Sequence, residues 1–291
     1  SIQQPSAAFR RDKPRGLTLL QRTVTALVGI PVLVGAVWWG APWLTLLVLL
    51  VGVLSIRELY RLLPPDTGRL PVILGALWVI SLLLGAQAGS GLHNFLTISS
   101  GILAAGAFLA LLWLIAFYSG PRLPTAGAYL IGGPIYVGFL LAHTLALREV
   151  GDGADLGRNW LLFALLVTFA TDTGAFLIGR GLGRHYLAPS ISPSKTWEGS
   201  AGGFACGVVV ALALGLVIDL AVPRWQQGIV GATVGVVAQW GDLFESKLKR
   251  ISNVKDAGSI IPGHGGILDR LDSVLVSVPA VYYLLVTVFK P

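Results

Sequence analysis

Charge is what this sequence has least of. Only 12% of its 291 residues are Asp, Glu, Lys or Arg, while 54% are hydrophobic. A water-soluble domain carries about 25% charged residues. Half that coverage excludes an ordinary soluble globule and implies a lipid-facing surface. Acid is scarcer than base, 14 residues against 21, and the net charge is +7. The single cysteine, Cys206, cannot form an internal disulfide and says little about redox compartment. Methionine is absent even from position 1, so residue 1 is not expected to be the translated start. No cleaved signal peptide is expected either: Ser1–Arg15 is polar, and the apolar run after it is long enough to stay in a membrane. Long linkers and obvious internal repeats are also missing. That argues for one membrane unit and against a transporter assembled from repeated halves.

Long apolar stretches are abundant. A spanning helix needs about 20 mostly apolar residues. Nine stretches are candidates: roughly 20–40, 42–57, 70–88, 93–118, 126–147, 159–179, 200–222, 227–246 and 272–289. The second and last are short or ragged. Gly132-Gly133-Pro134 should bend or break the fifth. Basic residues favour the cytoplasmic side of a membrane protein. With the N-terminus placed inside, 17 of the 21 Lys and Arg fall inside, and Arg148, Arg158, Arg224 and Lys290 fall outside. The expectation is an all-α polytopic integral membrane protein with about nine transmembrane helices, N-terminus cytoplasmic and C-terminus outside. Residues 1–19 form a tail and 20–291 a single membrane domain. Its chemistry concentrates at about 172–273, because the first four stretches carry almost no intramembrane charge.

Several acids do not belong in lipid. Asp172 sits mid-stretch in FATDTGAFLIG, where a carboxylate is a functional candidate by default. Asp242 and Glu245, in QWGDLFESKLKR, are three apart and share a helix face. Glu245 also precedes Lys249 by four, the favourable order for a helical ion pair, so that pair is one reading of it and a functional role the other. Asp242 has no partner at such a spacing. Asp269 and Asp272, in GGILDRLDS, are again three apart and open the last stretch. Capping of a helix N-terminus explains one of them. The sum is less easily explained, since Asp242, Asp269 and Asp272 all gather at helix ends around a basic loop. Carboxylates beside phosphate-binding cations are how Mg²⁺ is normally held.

Two loops fall on the same side as these acids. In 246–271 stand Lys247, Lys249, Arg250, Lys255 and Arg270. The positive-inside rule or anionic headgroups explain that charge, but not PGHGG. Gly263, Gly265 and Gly266 let backbone N–H groups approach a ligand closely, and His264 between them can donate to phosphate or move a proton. In SISPSKTWEG, Ser192, Ser194 and Thr196 supply hydroxyls, Lys195 a charge and Glu198 a carboxylate. One hydroxyl is expected to cap the following helix. Gly199, Gly203 and Gly207, four apart, read as a helix-packing stripe. Cys206, His93 and His143 read as structural.

The run Ser246-x-Leu248-Lys249-Arg250, Lys255-Asp256-x-Gly258, Ile261-Pro262-x-His264-Gly265-Gly266-Ile267-x-Asp269-Arg270-Leu271-Asp272 resembles the signature of the phosphatidate cytidylyltransferases, the CDP-diacylglycerol synthases. No departure appears across its 27 positions. Ser192-Pro193-x-Lys195-Thr196-x-Glu198-Gly199 and Gly241-Asp242-Leu243-x-Glu245-Ser246 are similar to further family motifs. The resemblance covers roughly 172–273; the earlier stretches match in general character only. It implies the reaction CTP + phosphatidate → CDP-diacylglycerol + pyrophosphate. It implies Mg²⁺, as two divalent ions or one divalent with one monovalent ion. It also implies a polytopic homodimer in a bacterial inner membrane, its site open to the cytoplasm and handling membrane lipid rather than nucleic acid. Asp242 and Asp269 match the aspartates thought to hold metal in that family. Asp272 and Asp172 are expected nearby. Lys249, Arg250, Lys255, Arg270 and His264 would serve the phosphates, and Ser192, Ser194, Lys195, Thr196, Glu198, Gly265 and Gly266 would bind substrate. Rival readings are a CDP-archaeol synthase, a polyprenol kinase or, from the acids alone, a cation transporter.

Overall fold

The computed structural model describes residues 15–63, 69–89, 91–151, 154–252, 254, 257–258 and 265–289. Helical segments stand at each of the nine apolar stretches. α1 (Arg15–Trp39), α2 (Trp43–Arg61), α3 (Val72–Gln87) and α4 (Gly91–Phe117) come first. α5 (Leu123–Pro134) continues through a π-helical turn, Ile135–Phe139, into α6 (Leu140–Arg148). Then follow α7 (Ala154–Leu182), β1 (Tyr186–Ala188), β2 (Ser192–Thr196), α8 (Trp197–Leu214), α9 (Arg224–Ile251) and α10 (Leu268–Tyr283). α10 runs on into a second π-helical turn, Leu284–Phe289.

Among the described residues, six of these helices are long and apolar enough to cross a membrane: α2, α4, the α5–α6 rod, α7, α8, and α10 with its π turn. α1 offers the shorter apolar run Leu27–Trp39, and α3 has 16 residues. α9 is 28 residues long, but Asp242, Glu245, Lys247, Lys249 and Arg250 crowd its last turns. Length and composition thus support a polytopic membrane protein with fewer qualifying spans than the expected nine. Side chains such as Phe108 on α4 and Val209 on α8 are exposed, as lipid-facing surfaces require.

Other expectations need amending. α1 begins at Arg15, inside the stretch 1–19 assigned to the tail. α8 ends at Leu214, eight residues before the expected 222, and α10 starts at Leu268 instead of 272. Gly132-Gly133-Pro134 does not break its helix. Proline removes one ladder hydrogen bond; the Leu130 carbonyl four residues back accepts instead from the Tyr60 hydroxyl at 3.1 Å, and a π turn follows from Ile135. The fold is all-α as expected, with one small hairpin added: β1 and β2 pair antiparallel, with Tyr186 opposite Thr196 and Ala188 opposite Ser192. A two-stranded ribbon is marginal alone. This one is pinned from outside, because the Arg250 guanidinium donates through Nε to the Ile191 carbonyl at 3.0 Å.

The helices that frame the site pack in sequence: α7 on α8, α8 on α9, α9 on α10, and α10 back on α6 and α7. The glycine stripe makes the first contact. A Cβ at Gly203 would stand 2.8 Å from the Ala175 Cβ and 2.9 Å from the Thr171 carbonyl oxygen. One at Gly207 would stand 2.6 Å from Thr171 Oγ1. Small residues let backbones approach closely where lipid gives no hydrophobic drive. His143 is structural, as expected: it is fully buried among Phe95, Phe139, Tyr282 and Tyr283, with Nδ1 2.8 Å from the Phe139 carbonyl oxygen.

Candidate active site

The end of α9 meets the start of α10. Gly241 makes this possible, since a Cβ there would collide with the Asp272 carbonyl oxygen. Lys249 Nζ lies 3.0 Å from Glu245 Oε2 and 2.7 Å from Asp269 Oδ1. The Glu245–Lys249 pair is the one its spacing predicts. Burial alone would pull the Lys249 pKa down; Glu245 and Asp269 outweigh it and hold the ammonium above its ordinary value. Asp269 stands in the first turn of α10, where a helix N-terminus favours an anion. Its carboxylate also accepts from Ala257 N, at 3.0 Å to Oδ2, and from Gly266 N at 2.9 Å. Both Asp269 oxygens are therefore engaged by donors. Gly265 supports this fold-back with φ +90°, a left-handed conformation that other residues adopt only with strain. Lys255 and His264 lie outside the described residues.

The hairpin supplies the facing wall. Lys195 Nζ lies 2.7 Å from Asp242 Oδ2, so the acid whose helical neighbour is only the Ser246 hydroxyl, at 3.4 Å, has a basic partner 47 positions away. Thr196 caps α8, accepting from Gly199 N at 3.1 Å. Glu198 closes the hairpin: its carboxylate accepts from the backbone N–H groups of Arg184 and His185 and contacts His185 Nδ1 at 2.6 Å. Between hairpin, α7, α8 and α9 opens a cavity of about 400 Å³. Asp172, Arg180, Ser194, Lys195, Thr196, Gln239 and Asp242 line it. The structure thus brings Asp172, Asp242, Ser194, Lys195 and Thr196 together. Ser192 and Glu198 build the hairpin but do not line the cavity. Arg250 braces it, and Gly265 and Gly266 stand with Asp269.

Asp172, Asp242 and Asp272 are electrostatic neighbours. Ser273 bridges two of them, its hydroxyl donating to Asp172 Oδ1 at 3.1 Å and its N–H to Asp272 Oδ1 at 2.8 Å. Glu245 is fully buried, and its Oε1 has no hydrogen-bond partner, although Asp272 is within reach. Two facing carboxylates repel unless a proton or cation lies between them. Among the described residues no group of three or more His, Cys, Asp or Glu stands close enough to ligate one ion. Mg²⁺ needs only one or two protein carboxylates, with phosphates and water completing its shell. The hard oxygens of Asp272 and Glu245 fit such an ion; Asp242, engaged by Lys195 at 2.7 Å and by the Ser246 hydroxyl at 3.4 Å, and Asp269 would each have to release a donor to join them.

A second, apolar cavity of about 460 Å³ lies between α1, α2, α7 and α10. Leu47, Val51, Phe169, Leu271 and Val274 line it, and Arg270 stands among them. The two cavities share α7 as a wall, with Phe169 in one and Asp172, one helical turn on, in the other. Sequence reasoning missed Glu58 on α2, fully buried with Leu268 N donating to its Oε2 at 2.9 Å. The signal was present: a carboxylate in the last turn of a helix opposes the helix dipole and needs an external partner.

Apolar helices, a polar cavity walled by two carboxylates, Lys195 and Arg180, and an adjoining apolar groove define a polytopic membrane protein suited to charged ligands beside lipid. The chain belongs to the cytidylyltransferase family, whose model matches residues 20–288. It is 34% identical over 267 residues to a phosphatidate cytidylyltransferase of Staphylococcus saprophyticus, covering 92% of this chain and 99% of that protein. It is likewise 34% identical over 268 residues to the phosphatidate cytidylyltransferase of Bacillus subtilis, covering 91% and 97%.

Proposed function

We propose that this chain transfers the cytidylyl group of CTP to phosphatidate, giving CDP-diacylglycerol and pyrophosphate for phospholipid synthesis. A phosphate oxygen of phosphatidate attacks the α-phosphorus of CTP, the bond to the β-phosphate oxygen breaks, and pyrophosphate departs with that electron pair. No protein nucleophile is needed, because phosphoryl chemistry is mostly positioning and charge neutralisation.

One observation carries the reading. The polar cavity and the apolar groove meet across α7, and Arg270 in the groove is two residues from Asp272. A nucleotide triphosphate suits the first, where Lys195 and Arg180 neutralise it and Ser194 donates. Acyl chains suit the second, with the lipid phosphate reaching Arg270 and Lys249. Asp242 and Asp272, with Asp172, Glu245 and a re-aimed Asp269, would hold Mg²⁺. When bound, Mg²⁺ supplies Lewis-acid neutralisation of phosphate charge. Homodimer formation, nine spans, a single domain over 20–291 and a site facing the cytoplasm complete the proposal. The distribution of Lys and Arg supports that orientation.

The test is pyrophosphate release from CTP, with and without phosphatidate, before and after chelation. Release should require both lipid and Mg²⁺. Asp242→Asn and Asp269→Asn should each lower turnover about 100-fold or more while the protein stays folded in the membrane. Full rates in both variants would overturn the site, and preference for an archaeol-type acceptor would overturn the substrate.

A further inference from the structure

Glu58 lies in the last turn of α2, far in sequence from every acid discussed above except through the fold. It is fully buried. A helix C-terminus disfavours a carboxylate, and burial without compensation costs several kcal/mol. Compensation comes from the far end of the chain. Leu268 N, at the start of α10, donates to Glu58 Oε2 at 2.9 Å, so the negative group at one helix end faces the positive end of another.

Two glycines record how closely it fits. At Gly258 a Cβ would collide with the Glu58 carboxylate, and the three nearest atoms it would meet all belong to Glu58. At Gly266 a Cβ would lie 2.7 Å from Glu58 Oε2. Neither glycine has the positive φ seen at Gly265. At Gly258 the lack of a side chain is therefore explained by the approach of Glu58, and at Gly266 by Glu58 together with Gly258 N at 2.8 Å and Asp269 Oδ2 at 2.9 Å, not by backbone shape. Gly266 N in turn donates to Asp269 Oδ2.

We propose that Glu58 is a positioning residue for the transfer reaction. Its carboxylate seats Gly258, Gly266 and the first turn of α10, and so fixes where Asp269 and Asp272 stand. The C-terminal ends of α2 and α9 are also tied by Ser252, whose hydroxyl donates to the Leu62 carbonyl.

This rests on the α9–α10 acids being the catalytic centre, so Asp269→Asn is measured in parallel. Rates are expressed per monodisperse molecule in detergent. Glu58→Ala and Glu58→Asp should lower kcat about 10- to 100-fold, the range for residues that orient metal ligands, with far smaller changes in KM for CTP. Glu58→Gln keeps the length and an acceptor for Leu268 N, so it should recover most of the rate. Gly258→Ala should lose activity in the wild-type background. It should add no further loss to Glu58→Ala, and Glu58→Asp should partly rescue it by withdrawing the carboxylate. Wild-type kcat in Glu58→Ala, or strictly additive losses with Gly258→Ala, would overturn the proposal. If Glu58→Ala does not fold, the Glu58→Asp and Gly258→Ala pair decides alone. An active Asp269→Asn would instead overturn the catalytic centre.

Discussion

Replacing Lys249 by methionine keeps the stem and removes the charge. Its side chain is 13% exposed, and the partners Glu245 and Asp269 are 0% and 9% exposed. At 3.0 and 2.7 Å, each contact has a gross attraction of roughly 6 kcal/mol at an effective dielectric near 20. Desolvation of three buried charges offsets much of this. Removing one partner of a buried pair nonetheless costs about 3–5 kcal/mol, because the remaining charge stays buried. Here two carboxylates would be stranded together. Lys249→Met should therefore lower the melting temperature by on the order of 10 °C, read as loss of monodisperse protein on heating in detergent. Adding Glu245→Gln should restore a large part of it, since one stranded charge is removed. Glu245→Gln alone should be mild, because Lys249 keeps Asp269. A Lys249→Met melting curve matching wild type, or a double variant worse than the single, would refute the reasoning.

Two further outcomes are expected from the same measurement. Gly203→Val drives a side chain into Ala175 and the Thr171 carbonyl and should cost about 1–3 kcal/mol, whereas Gly181→Ala, with nothing within 4 Å of its Cβ position, should be neutral or slightly stabilising. Thr196→Ala removes the α8 cap and should cost about 1 kcal/mol, while Thr196→Ser should keep both stability and turnover; a Ser variant that is stable but inactive would show that the threonine methyl matters to the cavity.

Local features were legible in the sequence and non-local ones were not. Hydropathy located the helical stretches because twenty apolar residues in a row leave little alternative. It did not separate helices that meet the length and composition of a span from α9, whose last turns carry the proposed site. The i,i+4 spacing announced Glu245–Lys249, and three-residue spacings placed Asp242 with Glu245 and Asp269 with Asp272. Lys195–Asp242 spans 47 positions and had no local sign. The hairpin was read as a loop because SPSKT lacks the alternation of a half-buried strand and is held by Arg250 and Glu198 instead. Glu58 stands between Arg57 and Arg61, and its partner Leu268 is 210 positions away, so nothing local points to that partner. Asp269 was read as a metal ligand, and the backbone donors of Ala257 and Gly266 that also reach it come near only once the chain folds back.

The glycine seam between α7 and α8 limits how the polar cavity can change shape. Helices that touch through Gly199, Gly203 and Gly207 have almost no side-chain volume between them to rearrange. The wall bearing Asp172 is therefore stiff, and side-chain rotation there cannot widen the chamber. If the polar cavity takes the nucleotide as proposed, adjustment to a different base falls to the hairpin, whose anchors are a few hydrogen bonds. A library aimed at altered nucleotide choice should therefore vary residues 186–196 and leave the seam untouched.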